Sequence, residues 1–188
     1  MLSMSTGTLL AIVIPVVVVL LLIGVAVTLF MRRRRLREQF GPEYDRTVEA
    51  ADSRTAGERD LKAREKRHDA LDIKPLDEGR RERYRHDWDD VQQEFVDRPE
   101  AAVHDADRLV TSLMHERGYP TEDFDQRLKD LSVEHGSTLK HYREAHEIDT
   151  LSTQHKASTE QLRGAMTNYR ALFDELLTNG GQSRHARA

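Results

Sequence analysis

The sequence predicts an all-α protein with three parts: an N-terminal transmembrane helix, a polar helical stalk and a small antiparallel bundle of four to five helices. Three observations carry this. Residues 9 to 30, "LLAIVIPVVVVLLLIGVAVTLF", run for 22 residues without a charge. Residues 77 to 178 repeat apolar side chains at helical spacing, with no convincing strand alternation. Between them lies a segment rich in charge and sparse in apolar residues. We divide the chain into a short extracytoplasmic N-terminus (1–8), a transmembrane helix (9–31), a basic juxtamembrane segment with the stalk (32–76), the bundle (77–178) and a disordered tail (179–188).

The apolar run comes first. At about 1.5 Å per residue it reaches roughly 33 Å, enough for a hydrocarbon core of about 30 Å. Its valines are poor helix formers in water, but in lipid an unpaired backbone amide is costlier than a poor propensity. Pro15 can kink the first turns. Gly24 and Thr28 form a small-xxx-small pair that could seat a second helix in a weak homo-oligomer, although chance spacing is the better account of the pair. A cleaved signal peptide fits poorly: "MLSMSTGT" has no basic side chain, the run is long, and arginines follow where a cleavage site should lie.

Those arginines set the expected orientation. Arg32, Arg33, Arg34, Arg35 and Arg37 follow the run, whereas the N-terminal flank has no Lys or Arg. Short basic flanks stay on the cytoplasmic side. The N-terminus is therefore expected outside and the rest in the cytoplasm, at a plasma membrane. The cluster also suits anionic lipid headgroups. Phe40 and Tyr44 are expected in the same interface, with Phe40-Gly41-Pro42 a hinge at headgroup level.

From Tyr44 to Ala70 the apolar positions are few: Val48, Ala51 and Leu61, with Leu71 just beyond. No heptad is sustained, so this stalk reads as a solvated single helix with i,i+4 ion pairs. "LDIKPL" ends it, and Leu71, Ile73 and Leu76 could pin the connector to the domain beyond.

Within the bundle, Tyr84, Trp88, Val91 and Phe95 form one face of a helix over 77–96. Asp97 and Pro99 mark a stop and a start. A second helix over 99–117 turns Ala102, Ala106, Leu109, Leu113 and Met114 inward and ends at Gly118. "ERGYPTEDF" then turns the chain. Thr121 is read as the cap of a short helix with Phe124, Leu128 and Leu131 as its stripe. A helix over 134–155 places Leu139, Tyr142, Ala145 and Ile148 inside, with Gly136 weakening its start. Ser158 and Gln161 make a capping-box pattern. Leu162, Ala165, Met166, Tyr169, Leu172, Phe173 and Leu176 then form the clearest amphipathic helix in the chain.

Charge and composition exclude more than they assign. The chain has no cysteine, so a disulfide framework and a thiolate nucleophile are excluded. Residues 32–70 hold 12 basic and 9 acidic side chains; residues 71–188 hold 17 and 24, for a total of −4. An acidic distal part repels phosphate backbones, so no nucleic-acid partner is expected. No metal or cofactor site is expected either. His141 and His146 lie about 140° apart around a helix. The His-Glu pairs at 115–116 and 146–147 lack a second histidine three residues on. His86, Asp87 and Asp90 are neighbours of the kind that so many acids produce by chance. Glu144 and Glu147 with His141 or His146, and Glu134 with His135, do not give the Glu-x-x-His spacing of di-iron bundles; no phosphate loop or G-x-S-x-G is present, and no enzyme is expected.

The motifs "RRRRLREQFGPEYDR", "W-x-x-V-Q-x-x-F-V-D-x-P-x-x-A" at 88–102, "ERGYPTEDF" at 116–124 and "YRALFDELL" at 169–177 run through nearly the whole chain. On these the sequence resembles a group of uncharacterised single-pass membrane proteins of actinobacteria, often labelled hypothetical or secreted. That resemblance implies a bacterial plasma membrane and no defined activity. The function expected is that of a membrane-tethered adaptor or scaffold binding protein partners. Its docking surface is sought at Tyr119, Pro120, Glu122 and Asp123. The alternatives are an envelope or metabolite sensor with a ligand-binding bundle, or an exported membrane-anchored protein.

Overall fold

The computed structural model describes residues 6–178, with side chains from residue 14 onward. Its described residues form eight helices and no strand. They are α1 (Thr6–Phe40), α2 (Pro42–Ala50), α3 (Arg54–His68), α4 (Glu78–Asp97), α5 (Pro99–Arg117), α6 (Phe124–His135), α7 (Leu139–Ser152) and α8 (Thr159–Leu177). The expected disordered tail and the first residues of the expected extracytoplasmic N-terminus lie outside the described residues. One helical stretch, Ile14–Phe40, is long and apolar enough to cross a membrane, a test that a signal sequence near an N-terminus also passes. Ile14 to Met31 present their apolar side chains to the outside: Leu20, Leu21, Phe30 and Met31 are each more than 60% exposed.

Helices α4, α5, α7 and α8 form the bundle. Arg80 pairs with Glu116, and Tyr84 lies beside Ser112, so α4 and α5 run antiparallel. Thr138 bonds Glu175 and His141 bonds Asn168, so α7 and α8 do too. Trp88 of α4 stacks on Phe173 of α8 at 4.7 Å between ring centroids. Around them Ala102, Val103, Ala106, Val110, Leu113, Met114, Tyr142, Ala145, Tyr169 and Leu172 are buried. The small alanines of α5 let α8 approach closely.

Local chemistry sets the helix ends. The Asp77 side chain accepts from the Arg80 amide, and Ser158 and Gln161 complete the capping box at α8. Pro99 opens α5, and Gly118 closes it in the left-handed region at φ 98°. The Arg117 guanidinium donates to the Leu176 carbonyl at 2.9 Å and so satisfies the end of α8. The connector is pinned as expected: Leu76 is buried, and Leu71 and Ile73 pack on the core.

Several expectations need correcting. Phe95, Leu109 and Phe124 sit at the edge of the core, half-buried, while Val103 and Val110 take the inner positions of α5. α7 starts at Leu139, and α6 runs through 134 and 135, with Gly136 as its C-cap. Asp123, and not Thr121, caps α6.

The largest correction concerns residues 32–76. They do not form a solvated single-helix stalk. α2 and α3 fold back as a hairpin against each other and against α1 and α6. Leu36, Phe40, Tyr44, Leu61 and Val133 form a second core, with Val48 at its edge. Three apolar positions are too few to bury a face alone, but α1 contributes two more and α6 a sixth.

One steric detail closes this second core. The Phe40 carbonyl lies against Gly136, where an added Cβ would meet the oxygen at 2.3 Å and the carbonyl carbon at 3.1 Å. These are backbone atoms of a buried helix end and cannot swing aside. Gly136→Ala is therefore expected to destabilise the chain by roughly 1–3 kcal/mol. Limited trypsin digestion reads it out, with cleavage in 42–70 becoming faster than in the parent.

Candidate functional site: the junction of α1 with the domain

α1 does not end at the last arginine. It continues for three more residues to Phe40, which is fully buried. Leu36 and Phe40 are one turn apart on one face, so the same stripe enters the second core. Gly41 then turns the chain at φ 54°, and Pro42 starts α2. This corner is held from both sides. The Gly41 amide donates to the Arg37 carbonyl at 3.0 Å, and the Tyr44 amide donates to Gly41 at 3.1 Å.

Polar contacts tie the corner to distant helices. Arg143 of α7 grips Glu43 of α2 with two hydrogen bonds of 2.6 Å. The Glu43 side chain is 4% exposed and that of Arg143 20%. A two-pronged pair of this kind fixes geometry as well as charge. The Tyr44 hydroxyl donates to Glu58 at 2.9 Å, and burial followed by this bond pushes its pKa up. Arg67 of α3 reaches the fully buried Asp130 of α6 at 2.9 Å, and Gln126 donates to the same oxygen.

A layer of rings joins α3 to the bundle. Tyr119 lies between His68 and His135, with ring centroids 6.2 and 6.3 Å away. Its hydroxyl donates to Glu134 at 3.1 Å, and burial drives its pKa well upward. His135 Nδ1 lies 2.9 Å from Glu175 on α8. Burial lowers the His68 pKa against the opposing pull of Glu134, Asp69 and Asp130, with His135 adding to the lowering.

The structure redistributes the residues expected at functional sites. Arg33, Arg34, Arg35 and Arg37 stay half-exposed or more, each beside an acid of this chain: Glu58, Glu38, Glu65 and Asp45. Phe40 and Tyr44 are not interface residues, because both are buried in protein. Tyr119 is not available for docking, being 1% exposed. Asp123 is occupied as the α6 cap, accepting from Gln126 at 2.7 Å. Pro120 is half-buried, and Glu122 stays exposed. Sequence reasoning missed Glu43, Arg143, Leu61 and Val133. The spacing of Leu36, Phe40 and Tyr44 at i, i+4 and i+8 was the available signal for a stripe that continues past the arginines.

Comparison with protein-family models, with curated proteins and with solved structures finds no match.

Two outcomes follow from this geometry. Removing one partner of a largely buried pair strands the other charge, so Arg143→Met should cost roughly 3 kcal/mol. Arg143→Met with Glu43→Gln should cost less than the sum of the single changes, and denaturant unfolding of the four proteins measures the coupling. His68 supplies a pH dependence. Its folded pKa is lowered, so the unfolded chain binds the proton first as pH falls below the ordinary value of 6.5. Its contribution is full above that pH and is lost as pH falls towards the folded value. His68→Gln should make stability fall less steeply below pH 6.5.

Proposed function

We propose that this chain is a bitopic plasma-membrane protein, with its N-terminus outside, that holds a helical domain against the cytoplasmic face as an adaptor or scaffold. One observation carries the reading: the apolar helix runs unbroken through the arginine cluster, and its last turn is buried in the domain. The arginines lie between the exposed apolar surface and that core, where anionic headgroups would be. Apart from Arg33 beside the buried Glu58, their present partners are exposed or part-exposed acids in pairs worth about 0–1 kcal/mol each, so exchange for lipid phosphate is cheap. The resemblance to actinobacterial single-pass proteins points the same way. Tethering makes weak contacts with protein partners effective by raising local concentration.

The direct link between α1 and α6 also favours a second reading, an envelope or metabolite sensor. A shift of α1 would be felt at Gly136, and a cleft of about 380 Å³ between Glu43, Thr47, Arg64 and Lys129 offers space for a ligand.

Single cysteines at positions 3 and 183, labelled in intact cells with an impermeant maleimide, test the tether. Labelling at position 3 alone is the expected result. Labelling at 183 would place the domain outside and replace this reading with that of an exported, membrane-anchored protein.

A further inference from the structure

The interior between α5 and α7 holds a charged cluster that the tether does not use. α5 carries His104-x-x-Asp107 and α7 carries His146-x-x-Asp149, so each helix presents a histidine and an aspartate one turn apart. The two pairs cross. His146 Nδ1 lies 3.3 Å from Asp107 Oδ1, and His104 Nδ1 lies 3.5 Å from Asp149 Oδ1. Asp107, His146 and Asp149 each place a ligand atom within 4.8 Å of the other two.

The surroundings hold these groups in position. Tyr169 of α8 donates to Asp107 Oδ1 at 2.9 Å. The Phe124 ring lies nearly flat on the His146 imidazole, with centroids 3.9 Å apart. The Asp149 side chain is only 9% exposed, and its buried Oδ1 accepts no hydrogen bond. The imidazole facing it, His104, is half-exposed and stays 3.5 Å away, so this buried carboxylate oxygen is short of a close counter-charge. Arg127, which acts on Asp107, is itself committed to Thr111, Tyr142 and the Thr121 carbonyl.

Two features separate a cation site from a pair of His–Asp salt bridges. Charge-assisted N–H···O bonds draw to about 2.7–2.9 Å, and neither pair does. The 3.3 Å between His146 Nδ1 and Asp107 Oδ1 is instead the edge of a tetrahedron with metal bonds of about 2.0–2.1 Å, which is about 3.3–3.4 Å. The two carboxylates also repel each other in a partly dry interior, a fault that one cation between them removes.

We propose that Asp107, His146 and Asp149 bind one divalent transition-metal ion of the zinc class. Imidazole beside carboxylate selects such ions over magnesium and calcium, which take oxygen alone. The ion would bridge α5 to α7 beneath α6. This site is independent of the tether and of which side of the membrane the domain occupies.

Cobalt(II) titration of the full chain in detergent, followed by visible absorption, is the test, together with zinc-dependent thermal unfolding. The expected result is one equivalent bound per chain and a rise in the unfolding midpoint of about 2–4 °C or more with zinc. Magnesium at equal concentration should give no rise. Asp149→Asn should weaken cobalt binding at least about tenfold and abolish the rise. Without metal it should unfold close to the parent, because it loses a repelling charge against Asp107 together with a long contact to half-exposed His104. His146→Gln should behave alike in binding, and His141→Gln, on the exposed side of α7, should bind as the parent does. No uptake by the folded parent, or uptake unchanged in both Asp149→Asn and His146→Gln, would overturn the proposal.

Discussion

Phe40 carries the last turn of α1 into the interior of the domain, and the elements around it take their places from that burial. Fully burying a side chain of this size contributes about 1.5–3 kcal/mol. Its position matters more than that figure. α2 and α3 bring only Tyr44, Val48 and Leu61 to an apolar face. They become a folded hairpin because Leu36 and Phe40 arrive from one side and Val133 from the other. The corner at Gly41 aims α2 back along α1, and the glycine at 136 lets the Phe40 backbone reach α6. An otherwise solvated polar segment thus becomes a wedge between an apolar helix and a helical bundle.

Charged residues give this wedge its specificity. A buried carboxylate needs a partner, and each one in this region finds it on another element: Glu43 with Arg143, Asp130 with Arg67, Glu58 with Tyr44. Apolar contacts alone would allow the hairpin to slide or rotate on α6. A two-pronged guanidinium pair on one side and an Arg–Asp contact on the other do not tolerate such a slip, since a shifted register strands four charges. Buried ion pairs add little net stability in general. Here they select one arrangement among several that the small apolar patch would accept.

What could be read from the sequence follows from the range over which each feature is decided. The bounds of α5, the capping box at Ser158 and the stripe of α8 depend on residues within a few positions of each other, and the reading of each agrees with the structure. The wedge depends on pairs such as Glu43 with Arg143, which lie 100 residues apart. Local periodicity carries no trace of that pairing, so Phe40 and Tyr44 looked like interface aromatics and 44–70 like a solvated helix. Tyr119 misled for a related reason. In a turn of Gly, Pro and acids an aromatic residue looks exposed, yet α3 covers it. The crossed His-x-x-Asp pairs were visible as two local patterns. They passed unnoticed because the search was for Glu-x-x-His and for two histidines on one helix, while the cluster needs one face from each of two helices.

The wedge also changes what a tether could do. A solvated stalk would let the domain search a wide volume above the membrane. In the membrane-tethered reading, nine residues from Arg32 to Phe40 rise about 14 Å. That distance is about twice the depth of the headgroup layer, which is roughly 5–8 Å on each side. The second core would begin where the headgroups end, and the direction of the bundle would follow the tilt of α1. Such a domain gains effective concentration only towards partners in the same thin layer, such as other membrane proteins or proteins already held at the surface. Partners free in the cytosol would gain little from it. In that reading a bundle held this closely would work as a fixed platform, and any recognition surface would lie on faces that neither α2–α3 nor the headgroups cover.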